Sequence, residues 1–196
     1  MHVTHTEIDH WLLEDAPGHD ETVHALDLPD QPGTLSYTPR QQGVVAGVQA
    51  CAALARALGL QAQVLAGDGD AVGPGDTVLR LSGGAHALHL AWKQGMNLLE
   101  HLSGVATATA SLVCLAQRAA PGVQVAATRK ALPGARRWLQ HAVRCGGGLV
   151  HRAGLSETVL VFEQHRVFLP GLGWPALVTL ARSRSPEKKI AVEVAT

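Results

Sequence analysis

From Val123 onward the chain alternates between short apolar runs and segments of helical period, and this alternation restricts the fold more than any other feature. Val123 to Ala127 reads as a strand, Pro133 to about Cys145 as a helix, and Thr158 to Phe162 as a strand. Trp174 to about Ser183 then reads as a helix and Ile190 to Val194 as a strand. Strands separated in this way are predicted to run parallel, joined by crossover helices. In parallel α/β folds ligands bind beyond the carboxyl ends of the strands, so the residues just past each strand are the first candidates for chemistry.

The earlier part of the chain is mixed. "IDHWLLEDAPGHDET" begins as an amphipathic helix with Ile8, Trp11 and Leu12 at helical spacing and ends in a Pro-Gly loop. "GTLSYTPRQQGVVAG" alternates like strands broken by turn residues, and "GVQACAALARALGLQAQVL" reads as an Ala/Leu helix closed by Gly59 and followed by a strand. "AGDGDAVGPGDTVLRLSG" predicts a β-hairpin. "HALHLAWKQGMNLLEHLSGVATATASLVCLAQRAA" predicts two helices interrupted at Ser103-Gly104 and stopped by Pro121-Gly122. The fold class is therefore α/β, with a domain over 1–104 that includes a connector helix and a second domain over 105–196.

Bulk properties exclude several functions. The 196 residues carry 16 Lys plus Arg against 16 Asp plus Glu, so no net charge steers the chain to nucleic acid or an anionic membrane. Only 4% of residues are aromatic, which leaves little for stacking on single-stranded nucleic acid. Cys51, Cys114 and Cys145 are odd in number and lack a CxxC, a pattern that fits reduced thiols in a cytoplasmic protein. The polar, acidic start is unlike a secretory signal, and no uninterrupted apolar run reaches the ~18–20 residues that span a bilayer.

The charge is unevenly placed. Glu7, Asp9, Glu14, Asp15, Asp20, Glu21, Asp27 and Asp30 all precede the first basic residue, Arg40, whereas "TRKALPGARRWLQHAVRCGGGLVHRAGL" contains six Lys and Arg and no acid. Arg129 and Lys130 follow a strand, and His151 and Arg152 follow a run of three glycines whose amides are available in principle to an anion. Arginine forks match carboxylates and phosphates, and lysine adds a point charge. Arg136 and Arg137, adjacent on a helix and pointing apart, read as solvated. Glu193, an acid in an apolar strand, calls for a cationic partner if buried.

These segments carry a resemblance. "NLLEHLSGVATAT", the 128–155 stretch, "AVEV" and the early "LLEDAPGHDET" resemble the signature segments of the quinolinate phosphoribosyltransferase (nicotinate-nucleotide pyrophosphorylase) family. "HLAWKQGMNLLEHLSG" and "VFEQHRVF" are most similar to its ModD branch, pyrophosphorylase homologues associated with molybdate-transport loci. The resemblance implies an N-terminal α/β sandwich followed by the first part, about three strands, of an α/β barrel. It implies a cytoplasmic homodimer with shared active sites and a Mg²⁺-assisted transfer of phosphoribose from phosphoribosyl pyrophosphate to quinolinate or a related anionic heterocycle, with a place in NAD biosynthesis. Carried over by position, Arg129 and Arg152 hold substrate carboxylates, Lys130 serves the phosphoribosyl pyrophosphate, and His151 and His165 line the pocket. Glu193 stabilises developing oxocarbenium charge near the ribose or metal, and Lys93 reaches the partner's site.

The chain departs from that pattern in places. Phe162-Glu163-Gln164-His165 stands where the family has Lys-Asp-Asn-His, Lys93 stands for an arginine, and Ala127 for an acid. The family's later strands and Gly-rich phosphate loops have no counterpart before Thr196, which suggests a C-terminally truncated chain with an unpaired strand edge prone to aggregation. The alternative is a catalytically inactive homologue acting as a binding or assembly subunit. Other motifs read as structural: "GDGDAVGPG" lacks dinucleotide-loop spacing, the eleven histidines lack zinc-ligand spacing, Cys145 has no evident catalytic partners in sequence, and "ARSRSPEKK" reads as a solvated helix end.

Overall fold

The structure is a computed structural model that describes residues 2–194. In chain order the elements are α1 (His5–Asp15), α2 (Glu21–Ala25), β1 (Pro32–Tyr37), β2 (Gly43–Val44), α3 (Val48–Ala57), β3 (Gln61–Val64), β4 (Ala71–Val72) and β5 (Leu79–Gly84). They continue with α4 (Ala85–Ala119), β6 (Ala126–Ala127), α5 (Arg136–Cys145), β7 (Leu149–Val150), β8 (Val159–Val161), α6 (Glu163–Arg166), α7 (Trp174–Arg184) and β9 (Ile190–Val192). Two compact units result. One holds the chain through Ala127 together with Ala131–Val150; the other holds Thr128–Lys130 together with the chain from His151 onward. The boundary expected at 104/105 falls inside α4.

In the first unit α1 starts in a capping box. The Glu7 N–H donates to Thr4 Oγ1 at 3.3 Å and the Thr4 N–H returns the bond to Glu7 Oε2 at 2.9 Å. β1, β5 and β3 form an antiparallel sheet with β5 central, where Leu79 and Leu81 are fully buried and the intervening Arg80 is exposed. α3 and α4 cover this sheet. Helix and sheet come so close at Gly95 that a Cβ there would collide with the Tyr37 hydroxyl and Cys51 Sγ. Tyr37 donates to the Ala91 carbonyl at 2.8 Å, and burial pushes the Cys51 thiol up to about 12.

Two expectations are corrected here. The 66–83 segment is not a hairpin: β4 pairs antiparallel with β2, while β5 pairs with β1 and β3. Its tight turns do form, each closed by an aspartate, Asp70 on the Gly67 N–H and Asp76 on the Gly73 N–H. Nor does Ser103-Gly104 interrupt a helix, since α4 runs 35 residues unbroken. Ser103 Oγ accepts from the Ala46 N–H at 3.1 Å and Thr107 Oγ1 accepts from the Val44 N–H at 2.9 Å, so the hydroxyls bind the β2 segment to the helix. Tertiary contacts override the weak breaking tendency of one glycine, about 1 kcal/mol. α4 includes an 18-residue window of mean hydropathy 1.4, long and apolar enough by composition to cross a bilayer. Leu88, Ala91, Gly95, Leu99, Leu102, Ala106 and Thr109 of α4 are buried.

The alternation after Val123 gives parallel strands as expected, but among the described residues there are four short ones. β6 pairs parallel with β7, and β8 with β9. Leu149–Val150 was invisible as a strand because two residues after a glycine run show no periodicity. The 123–127 run narrows to Ala126–Ala127.

Candidate functional site

β6 and β7 are aligned so that Ala127 is opposite Val150. Thr128 and His151 therefore leave the same edge of a parallel pair, and the Arg129-Lys130 and His151-Arg152 loops emerge side by side. Both loops belong to the second compact unit, as do His165 and Glu193, whereas Lys93 belongs to the first. Arg152 is 5% exposed and donates through Nη1 to the Thr158 carbonyl at 3.1 Å. Arg129 is half-buried, and its Nε has no hydrogen-bond partner among the described residues. Lys130 and His151 are exposed. Arg152 and Arg129 thus lie on loops that leave paired strands, and guanidinium groups of this kind are suited in chemistry to a carboxylate or phosphate.

The glycine run does something other than bind anions. The Gly146 and Gly148 N–H groups donate to Ala142 and Val143 carbonyls at 3.0 and 2.9 Å, and the Gly147 N–H to Arg144 at 2.9 Å. All three amides thus close α5, with Gly147 at φ +80° as the left-handed cap residue. Gly146 and Gly148 are required for packing: a Cβ at 146 would collide with the Ala106 carbonyl oxygen, and one at 148 would lie 2.7 Å from Thr109 Cγ2.

At the second strand pair Val161 is opposite Val192, and the Glu193 N–H donates to the Val161 carbonyl at 2.9 Å. This sets Phe162 and Glu193 next to each other past the ends of β8 and β9. Glu193 is exposed and lies beyond β9, so the expectation of an acid within an apolar strand is corrected. The Phe162 N–H donates to His165 Nδ1 at 3.0 Å, with the two rings stacked at 5.7 Å. Arg166 is engaged by Glu163 at 2.8 Å and lies 4.6 Å from the Trp174 ring centroid. Lys93 is exposed on α4. Arg137, read as solvated, in fact pairs with Glu7 at 2.6 Å, donates to the His2 carbonyl and lies over Trp138, whose ring packs on Trp11.

The sequence reading missed one cluster in the first unit. His141 Nε2 lies 2.8 Å from Asp68 Oδ2 and 3.5 Å from Cys145 Sγ. The i, i+4 spacing of His141 and Cys145 was visible, but nothing local pointed to Asp68. A carboxylate oxygen at 2.8 Å requires the proton on Nε2, so that nitrogen is unavailable as a base for the thiol. Burial and the Asp68 charge push the Cys145 thiol upward, opposite to an activated nucleophile. Among the described residues no group of three His, Cys, Asp or Glu could hold a metal ion. A cavity of about 660 Å³ in the same unit is lined by Tyr37, Arg40, Trp92, Met96 and Leu99 among others, and by none of the site residues expected from sequence.

Comparison with known proteins bears on this geometry. Residues 20–103 match the model of the quinolinate phosphoribosyl transferase N-terminal domain and residues 105–196 that of the C-terminal domain. A protein of Escherichia coli O6:H1 named "Putative pyrophosphorylase ModD" is 38% identical over 195 residues, covering 99% of this chain and 69% of the relative. Nicotinate-nucleotide pyrophosphorylase (carboxylating) of Mycobacterium leprae is 35% identical over 187 residues, 90% of this chain and 64% of that protein. The crystal structure of NadC from Streptococcus pyogenes superposes with a TM-score of 0.88 at 27% identity, covering all of this chain and 70% of that one.

Proposed function

This chain belongs to the quinolinate phosphoribosyl transferase family, and from that premise we propose that it handles phosphoribosyl pyrophosphate and transfers its phosphoribosyl group to an anionic heterocyclic acceptor. The observation that carries the reading is the pairing of Arg129-Lys130 with His151-Arg152 at one edge of β6 and β7. Such a cationic edge suits a polyphosphate and a carboxylate together. In this reading Arg129 and Arg152 orient the acceptor carboxylate, Lys130 neutralises charge on the departing pyrophosphate, and His151 and His165 line the pocket. Glu193 then faces the anomeric carbon as positive charge develops there. Attack by the ring nitrogen forms the new C–N bond as the C–O bond to pyrophosphate breaks.

A Mg²⁺ bound with the pyrophosphate would have Glu193, exposed past the end of β9, near it. That ion would supply charge neutralisation at the leaving group. The reading includes a homodimer in which Lys93 reaches the partner's site.

Phe162 favours a narrower acceptor range. At the β8 end the uncharged Phe162 ring stacks on His165, and Arg166 Nη1 is engaged by Glu163 while its Nε has no hydrogen-bond partner among the described residues, so a second acceptor carboxylate meets one partly committed cation there. The experiment is pyrophosphate release from phosphoribosyl pyrophosphate with a panel of pyridine mono- and dicarboxylates. Turnover with one or more acceptors supports the reading. Binding of phosphoribosyl pyrophosphate without turnover of any acceptor favours an inactive binding subunit, and absence of both refutes the proposal.

A further inference from the structure

We infer that Asp68 and His141 are positioning residues, which fix where the chain bearing His151 and Arg152 leaves β7. Asp68 bridges two elements. Its Oδ1 accepts from the Val48 N–H at 2.8 Å, at the start of α3, and its Oδ2 lies 2.8 Å from His141 Nε2 on α5. The two side chains are only 11% and 18% exposed, so the contact is shielded from solvent. Val48 itself is fully buried in the core, which gives Asp68 a rigid base.

α5 is the segment that determines the exit of the chain. The glycine turn at 146–148 closes it directly into β7, and β7 is held to β6 through only two residue pairs. So short a ladder places little constraint of its own on the strand. The N-terminal half of α5 is anchored through Trp138 and Arg137 to α1. Its C-terminal half is anchored by Gly146 and Gly148 on α4 and by His141 on Asp68. Loss of the His141 donor frees the half of α5 that leads into His151 and Arg152, and leaves a nearly buried carboxylate without that partner.

The functional arm of this inference rests on the phosphoribosyl-transfer reading; the positional arm does not. Two variants separate them. His141→Phe fills the space without a donor, and His141→Gln keeps a donor. Amide hydrogen exchange read by mass spectrometry should rise about tenfold over residues 148–152 in His141→Phe, relative to amides of the β1–β5 pair, and return toward wild type in His141→Gln. The dissociation constant for phosphoribosyl pyrophosphate should weaken in parallel in His141→Phe and recover in His141→Gln. Equal acceleration of exchange in both regions would reduce the contact to general stability and overturn the inference. So would faster local exchange with unchanged affinity. If the wild-type protein binds no phosphoribosyl pyrophosphate, the functional proposal fails, while local exchange still decides whether His141 positions β7.

Discussion

The backbone N–H of Phe162 donates to His165 Nδ1 at 3.0 Å while the two rings stack 15° from parallel. An accepting Nδ1 places the proton of the neutral ring on Nε2. Long-range ¹⁵N–¹H NMR correlations should show that tautomer for His165. Replacement of His165 by Ala removes the acceptor and the stack together and should destabilise the protein by about 1–2 kcal/mol in urea denaturation.

Glu7 provides a pH prediction. Burial opposes its ionisation, but hydrogen bonds from Thr4 and from Arg137 outweigh that and hold the carboxyl below its ordinary value of 4.5. A lowered folded-state value means that the ionised acid stabilises the fold above the unfolded value, and that this contribution is lost as pH falls through the folded value. Glu7→Gln keeps the capping-box acceptor but loses the charge facing Arg137, and should therefore lower stability at neutral pH by about 0.2–1 kcal/mol. The gap to wild type should close as pH falls below 4.5. Thermal denaturation as a function of pH reads both.

The unbroken α4 makes Ser103 and Gly104 respond in opposite directions. Ser103→Ala loses the bonds to Ala46 and should cost about 1 kcal/mol. Gly104 is exposed, and a Cβ there meets nothing within 4 Å, so Gly104→Ala should stabilise by about 0.5–1 kcal/mol. A helix break at this position would reverse the second sign in chemical denaturation.

Glycines near the candidate site divide by packing. Gly146→Ala drives a methyl into the α4 backbone and should destabilise by about 1–3 kcal/mol, whereas Gly154→Ala, with open space around it, should change stability by less than about 0.5 kcal/mol. Comparable losses at both would contradict the helix-packing role.

The sequence made some features legible and hid others for identifiable reasons. The 3.6-residue period of α3, α5 and α7 and the turn aspartates at 70 and 76 are local signals, and each element formed where its pattern lies. Which strand β4 would pair with was not local; two residues carry no register information, and β2 claimed them. Arg129, Lys130, His151 and Arg152 were legible as candidates because basic residues past strand ends stand out in a neutral chain. The glycines between them were misread, since flexibility and close helix packing select the same residue type. Asp68 was missed because its partner His141 is far along the chain and the two meet only when α3 and α5 are placed.

The central claim is that the two basic loops at the β6–β7 edge form one anion site, with Lys130 on the polyphosphate and Arg129 and Arg152 on the acceptor carboxylate. Isothermal titration of phosphoribosyl pyrophosphate with Mg²⁺ into the wild-type protein and Lys130→Met, and of quinolinate into the wild-type protein, Arg129→Met and Arg152→Met, tests it most directly. The account predicts saturable wild-type binding that weakens with salt, and at least a tenfold loss for phosphoribosyl pyrophosphate in Lys130→Met and for quinolinate in each arginine variant, on the order of 1.5–3 kcal/mol for a charged hydrogen bond. Unchanged affinities in the folded variants, or no wild-type binding of phosphoribosyl pyrophosphate, would contradict it.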